Sequence, residues 1–336
     1  MSNLFRLGII GTGQIAKMAH VPAALASTKV EITALVDPVV KHAQELADGY
    51  GMTSKIATTP AEVLAHVDGV VIATPNHTHR DLAVQCARAK IHCLIEKPLA
   101  TTVAEAEEIV QAAEEHGIVV ATGYSTRFRD AVILLHDLLR AGYFGAVKRF
   151  LYQFGTRGGW SPFSAYNLDR KSSGGGVLVV TGTHFLDRML YWFGYPDEYA
   201  LEDDARGGPE AHCVVRVHYT SGEHDFEGTI RLSKIVPLKS GFVLETEQGM
   251  VVLPTQDPEP LWFRPFSQPS LQMVVHSKTG PIFPPQKSPF QSQIENFVAA
   301  CRGKEPPMVS AKQGLESVRL IENLYSCRTA MQEGNE

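Results

Sequence analysis

Two side chains stand where proton and oxyanion chemistry can be done. Lys97, in Glu96-Lys97-Pro98, ends the apolar run His92 to Ile95. A lysine at the carboxyl end of a parallel strand lies on the edge where open α/β sheets take their ligands. Its ammonium can hydrogen-bond a substrate hydroxyl and steady a developing alkoxide. The plainer reading is a surface lysine in a turn that Pro98 closes. His184 follows the glycine run Gly174-Gly175-Gly176 and shares a helical face with Val180, Thr181 and Asp187 by three- and four-residue spacings. An imidazole there can take a proton from an alcohol near neutral pH while hydride leaves the same carbon. The alternative is a core histidine bonded to backbone.

The N-terminus offers a place for a hydride carrier. Gly11-Thr12-Gly13-Gln14-Ile15-Ala16 comes straight after the apolar stretch Leu4 to Ile10. Gly11 allows the tight strand-to-helix turn, Gly13 lets backbone approach a pyrophosphate, and Ala16 stands for a third glycine that keeps helix near sheet. Gln14 and Ile15 open the helix whose N-terminus faces the phosphates. A second buried strand, Val30 to Val36, delivers Asp37 at the distance of an acidic residue that accepts from an adenosine ribose. A carboxylate there repels a 2′-phosphate, which favours NAD over NADP, although Lys41 softens the discrimination. Asp37-Pro38 also reads as the cap of the next helix.

These residues need a scaffold, and the first third of the chain alternates strand-like and helix-like patterns as parallel βα units do. A helix near Gln14 to Leu25, an amphipathic stretch from Val39 to Asp48, strands Gly69 to Ala73 and His92 to Ile95, a helix Thr102 to His116 and a strand Ile118 to Thr122 follow in order. Thr78 and Asp81 have capping-box spacing at the start of another helix. The spacing predicts a Rossmann domain over 1–122 and a second, α+β domain over 123–336. In that second part a helix Asp130 to Leu139 leads to Val147 to Gly155, with further strand signals at His212 to Tyr219, His224 to Leu232, Gly241 to Glu247 and Met250 to Leu253. These predict a large, mostly antiparallel sheet. Helices are expected over Val180 to Phe193, Gln291 to Cys301 and Ala311 to Met331, and an irregular excursion over Pro254 to Pro289. One open sheet face would need a cover, and a homo-oligomer, dimer or tetramer, is the usual solution.

Composition narrows the class further. At 336 residues two domains are the natural expectation, and a net charge of −5 without a basic block or long apolar stretch gives no sign of a nucleic-acid or membrane partner. Cys86, Cys93, Cys213, Cys301 and Cys327 lack C-x-x-C spacing, which argues against a disulfide framework or a zinc site. No signal peptide is visible, so a cytoplasmic location is expected. His77-Thr78-His79 offers too few ligands for a metal, and none is expected.

The ordered set Gly11-x-Gly13-x-x-Ala16, Asp37-Pro38, Thr74-Pro75-Asn76-x-x-His79, Glu96-Lys97-Pro98, Arg127-Phe128 and Gly174-Gly175-Gly176 followed by Gly182-x-His184 resembles the glucose-fructose oxidoreductase, inositol dehydrogenase and rhizopine-catabolism family. The resemblance spans nearly the whole chain. It implies an N-terminal Rossmann domain, a C-terminal α+β domain with an open-faced sheet, and NAD(P)-linked oxidation or reduction of a sugar, cyclitol or related polyol. It also implies that Thr74, Pro75 and Asn76 line the cofactor, that His79 sits near the nicotinamide side, and that Glu96 and Lys97 meet the nicotinamide end and the substrate. A cis bond before Pro98 and His184 as general base are implied with them. Arg127, Trp160, Tyr166 and Thr181 are candidate substrate residues. Trp160 and Tyr166 fall among Arg157, Arg170 and Lys171, where aromatic faces suit sugar surfaces and cations suit a carboxylate or phosphate; an ordinary connecting loop is the alternative.

One position departs from the pattern. Four residues before the histidine the family commonly carries an aspartate, and here Val180 stands. Valine cannot stabilise the imidazolium formed during oxidation. Thr181 or Asp187 offers partial replacement by hydrogen bonding. Two other classes therefore stay open: an NAD-binding regulator without catalysis, and NAD-assisted glycoside cleavage through a transient oxidation.

Overall fold

The computed structural model describes residues 4–158, 170–205, 208–220, 225–253, 260–276 and 287–331. It divides into two compact units, residues 1–128 with 287–319 and residues 129–286 with 320–336. A single cut after Thr122 was the expectation from sequence. The break falls instead after Phe128, and the chain later returns to the first unit.

The first unit is built on a six-stranded parallel sheet in the order β3-β2-β1-β4-β5-β6. Its strands are β1 (Phe5–Ile10), β2 (Val30–Val36), β3 (Lys55–Ala57), β4 (Gly69–Ile72), β5 (His92–Glu96) and β6 (Val120–Gly123). β4 and β6 are buried at every residue, as expected of strands covered on both faces. The order reverses between β1 and β4, and a crevice at the carboxyl ends beside such a reversal is where this architecture takes ligands.

Helices α1 (Val21–Leu25), α2 (Val40–Tyr50), α3 (His79–Arg88) and α4 (Val103–His116) connect the strands. Thr102 caps α4 by accepting from Glu105 N at 3.2 Å, and Gly117 ends it at φ 64°. Before α1 the chain forms one π-helical stretch, Ala16–His20, in which Val21 N reaches Ala16 O. Pro22 has no N–H to continue the α-helical ladder, and the widened turn accommodates the gap.

The second unit carries helices α5 (Asp130–Arg140), α6 (Arg170–Ser173) and α7 (Thr183–Phe193) and a nine-stranded sheet. In chain order its strands are β7 (Val147–Gly155), β8 (Glu198–Asp203), β9 (His212–Tyr219), β10 (Phe226–Ser233), β11 (Leu238–Thr246), β12 (Gly249–Leu253), β13 (Leu261–Pro265), β14 (Met273–Val275) and β15 (Thr329–Ala330). Most neighbours are antiparallel, but β10 pairs β7 in parallel and β15 pairs β8 in parallel. β8 carried no signal that sequence reading used. β13 and β14 lie inside the segment expected to be irregular, where they extend the sheet past β12. Alternating residues of β10 and β12 are buried, and their neighbours on the outer face are less so.

Two long helices close the chain, α8 (Pro289–Cys301) and α9 (Ala311–Ser326). α8 packs in the first unit against β5, the Ala16–His20 turn and the Ser125–Phe128 turn. Its apolar face, with Ile294, Phe297 and Val298, joins the core formed by Phe5, Leu7 and Ile9 of β1. That burial explains why residues 287–319 belong with the parallel sheet.

Candidate active site

Gly11 adopts φ +90°, and a Cβ there would stand 2.6 Å from the carbonyl oxygen of Ala73 and 2.8 Å from Thr74 Cγ2. Only glycine allows this turn to pass the end of β4. Gly13 is exposed, and a Cβ would meet nothing within 4 Å. The backbone at Gly13 and at the exposed Gln14 and Ile15 is therefore open to a ligand.

Asp37 leaves the end of β2 half-buried and ties this turn down. Its Oδ2 accepts from Thr12 N at 3.1 Å and from Thr12 Oγ1 at 2.8 Å, while Oδ1 accepts from Val39 N at 3.0 Å. Burial pushes the carboxyl up, but the hydrogen bonds from Val39 and Thr12 outweigh it and hold Asp37 below the usual carboxylate range. Asp37 thus supports the start of the next helix and keeps an ionised oxygen pair beside the glycine turn. The pieces fit a dinucleotide: room at Gly13, a helix start behind it, and a carboxylate at the end of the second strand.

At the end of β4, Thr74 Oγ1 lies 2.6 Å from Thr78 Oγ1, and Thr78 Oγ1 donates to Pro75 O at 2.7 Å. Thr78 therefore makes no side-chain cap for α3, and the capping box expected from its spacing to Asp81 is not formed. Asn76 is buried within the short 3-10 turn that precedes α3. His79 is fully buried, with Nδ1 3.0 Å from Pro98 O and Nε2 3.0 Å from Thr74 O. Its ring staples the segments that follow β4 and β5. Burial holds the ring below the usual histidine range, although both carbonyls favour the protonated form.

Glu96 and Lys97 end β5, and the Lys97–Pro98 bond is cis. Lys97 is half-buried, whereas Glu96 is 7% exposed. Glu96 Oε2 accepts from Lys97 N at 3.2 Å and Glu96 Oε1 lies 2.7 Å from His20 Nε2. Burial pushes the Glu96 carboxyl up, yet the hydrogen bond with His20, the charge of Lys97 and the Lys97 N–H bring it below the usual range. An ionised carboxylate thus lies directly beside Lys97. Arg127 is 1% exposed, and its Nη1 donates to Met308 O at 3.4 Å. The guanidinium is thus buried, with interior backbone at Met308 within its reach.

In the second unit, His184 stands one residue inside α7, preceded by a π-helical stretch Leu178–Gly182. Irregular turns of this kind are frequent at functional sites. Val180, Thr181 and His184 are half-exposed, as their shared face predicts, but Asp187 is fully buried. Arg188 Nε donates to His184 O at 3.2 Å, and its guanidinium lies 4.5 Å from the Phe185 ring centre. The glycine run ahead of this helix is clamped by Glu210, which is 1% exposed. Glu210 accepts from Gly176 N at 3.1 Å, from Leu178 N at 2.9 Å and from Tyr325 Oη at 2.8 Å. Arg157 is exposed. Trp160 and Tyr166 lie outside the described residues.

The first unit therefore brings Gly11, Gly13, Asp37, Thr74, Pro75, Asn76, Glu96 and Lys97 to the carboxyl edge of its sheet, and the second unit presents Thr181 and His184 on one helix face. Sequence reading missed His20, Glu210 and Tyr325. For His20 a signal existed, since it shares the inward face with Ala16 at four-residue spacing. For Glu210 none did, because it clamps backbone more than thirty residues away.

Residues 5–124 match an oxidoreductase family with an NAD-binding Rossmann fold, and residues 136–249 match the C-terminal alpha/beta domain of the same family. The chain belongs to the Gfo/Idh/MocA oxidoreductases. Among curated Gfo/Idh/MocA relatives, the rhizopine catabolism protein MocA of Rhizobium meliloti is 34% identical over 191 residues, which are 56% of this chain and 57% of that protein. The D-glucoside 3-dehydrogenase of Escherichia coli is 31% identical over 200 residues, 58% of this chain and 56% of that protein. The matched stretches thus span little more than half the length of these relatives. A crystal structure of an oxidoreductase from Agrobacterium radiobacter in complex with NAD+, L-tartaric acid and magnesium superposes with a TM-score of 0.82 at 16% identity, covering 96% of each chain. That likeness confirms the two-part Gfo/Idh/MocA fold. Among the described residues, no helix is long and apolar enough to cross a membrane.

Proposed function

We propose that this chain is an NAD-dependent oxidoreductase moving hydride between nicotinamide and the CH–OH carbon of a sugar, cyclitol or related polyol. One observation carries the reading: a half-buried lysine beside a buried, ionised carboxylate ends β5 on the sheet edge that also holds the open glycine turn. The family membership and the sugar-dehydrogenase relative support it, as does the NAD+ complex of a protein with the same fold.

Bound at the glycine turn, the dinucleotide supplies the hydride acceptor or donor. Gly13 admits the pyrophosphate to backbone, and Asp37 accepts from ribose hydroxyls while repelling a 2′-phosphate. Lys97 donates to the reacting oxygen and stabilises the alkoxide that develops there. His184 takes the hydroxyl proton during oxidation and returns it during reduction. A homo-oligomer and a cytoplasmic location complete the proposal, and the half-exposed outer residues of the nine-stranded sheet support the first.

The test is hydride transfer, followed by NADH absorbance, across a panel of sugars, cyclitols and nucleotide sugars with NAD and with NADP. We expect turnover on at least one polyol, with kcat/KM for NAD about tenfold or more above that for NADP because Asp37 opposes a second phosphate. No transfer across the panel refutes the enzyme reading, and a much lower KM for NADP refutes the cofactor assignment.

Val180 favours a second reading. A half-exposed valine occupies the place of a carboxylate four residues before His184. If the missing charge limits catalysis, Val180→Asp raises turnover by about tenfold, since a neighbouring carboxylate stabilises the imidazolium by roughly 1.4 kcal/mol. An unchanged or lower rate turns the reading toward an NAD-binding regulator. Release of free sugar without net NADH would instead mark NAD-assisted glycoside cleavage.

A further inference from the structure

Glu96 is gripped from two sides. Lys97 N reaches Oε2, and on the other oxygen stands His20, a ring with no exposed surface that ends the π-helical stretch after the glycine turn. Phe290 of α8 meets that ring edge-on, with centroids 5.2 Å apart and an interplanar angle of 89°. The imidazole is thereby fixed by packing as well as by its hydrogen bond. Among the described residues, His20 Nδ1 has no hydrogen-bond partner, so a proton there would be buried unpaired. Beside an ionised carboxylate the ring proton belongs on Nε2, where it is donated.

We infer that His20 is a positioning residue of the Lys97 site, donating Nε2–H to Glu96 Oε1 and so holding the carboxylate that flanks Lys97 ionised and oriented. The inference rests on the role proposed for Lys97. It links the backbone just after the glycine turn to the strand end that presents Lys97 through one buried hydrogen bond. Without that donor, a buried carboxyl group takes up a proton more readily. The charge beside Lys97 is then lost at a higher pH.

The experiment titrates Glu96 first and turnover second. In protein with 13C-labelled glutamate carboxyls, the Glu96 resonance, assigned by its loss in Glu96→Gln, is followed against pH without substrate. The comparison covers wild type, His20→Met, which fills the space and donates nothing, and His20→Gln, which keeps an N–H. We expect Glu96 to titrate below the ordinary glutamate range in wild type, to move upward in His20→Met, and to fall between the two in His20→Gln. On the best polyol, His20→Met lowers kcat by roughly 10- to 100-fold through misplacement of Lys97. It also moves the acid limb of the kcat profile upward while KM for NAD changes less than about threefold, and His20→Gln recovers most of the loss.

A Glu96 titration that does not move in His20→Met overturns the inference. So does a loss of kcat with an unchanged pH profile that His20→Gln fails to rescue. If His20→Met does not fold, a wild-type Glu96 titrating at or above the ordinary range overturns it, and a depressed one that rises in His20→Gln supports it. Lys97→Met separates the two ideas. Full turnover in that variant removes the role of Lys97, while a shifted Glu96 titration in His20→Met leaves the hold of His20 on Glu96 standing.

Discussion

Lys97→Met is expected to lower kcat/KM on the best polyol by about 100- to 1000-fold, the usual loss when one donor to a developing oxyanion is removed. Methionine keeps a flexible apolar stem of similar reach, so the half-buried position stays filled. The backbone N–H that reaches Glu96 is unchanged by the substitution. The glycine turn and Asp37 lie on other segments, so NADH affinity, read by fluorescence titration, should stay within about threefold of wild type. Loss in kcat with affinity retained places Lys97 on the reacting oxygen. Turnover within about threefold of wild type would remove it from the chemistry, whatever the cofactor does.

The contrast between the two units shows which parts of this molecule are local. In the first, strands buried on both faces read as short apolar runs, and each is bounded by a turn or cap whose residues do the work nearby. Gly11 and the Thr102 cap of α4 are such cases. The candidate cofactor residues were legible for the same reason, since the turn after a strand presents them. What escaped was decided by which partner a group meets, near or far along the chain. Val21 N passes to Ala16 O because Pro22 breaks the ladder, and that widened turn buries His20. Thr78 has the spacing of a capping residue, but its hydroxyl bonds Pro75 O and Thr74 instead. Strands β13 and β14 exist because β12 offers an edge to pair with, in a stretch whose prolines suggested no regular structure. His79 and Arg127 are buried and meet backbone carbonyls, contacts that residue type alone does not announce.

The approach to His184 is the second place where one substitution should act strongly. Glu210→Leu leaves the N–H groups of Gly176 and Leu178 and the hydroxyl of Tyr325 without their carboxylate in a buried setting. At about 1–3 kcal/mol for each buried polar group left unmatched, the loss should be on the order of 3 kcal/mol or more. Read by thermal unfolding, that is a fall of roughly 6–12 °C. Gly176→Ala should act in the same direction, since its Cβ would run into the backbone N and O of Glu210, which no side-chain rotation relieves. Burial pushes the Glu210 carboxyl above its ordinary range, against the pull of Leu178 N, Tyr325 and Gly176 N. The folded state then binds this proton more tightly than the unfolded one. The contribution of Glu210 to stability therefore declines as pH rises from the ordinary carboxylate range through its raised value. Glu210→Gln cannot ionise and should lack that slope, at the cost of turning one amide N–H toward backbone donors. Turnover should fall with Glu210→Leu even below the melting transition, because the backbone it releases leads into the helix that carries His184. A variant that melts and turns over like wild type would show that the glycine run holds its course without the clamp.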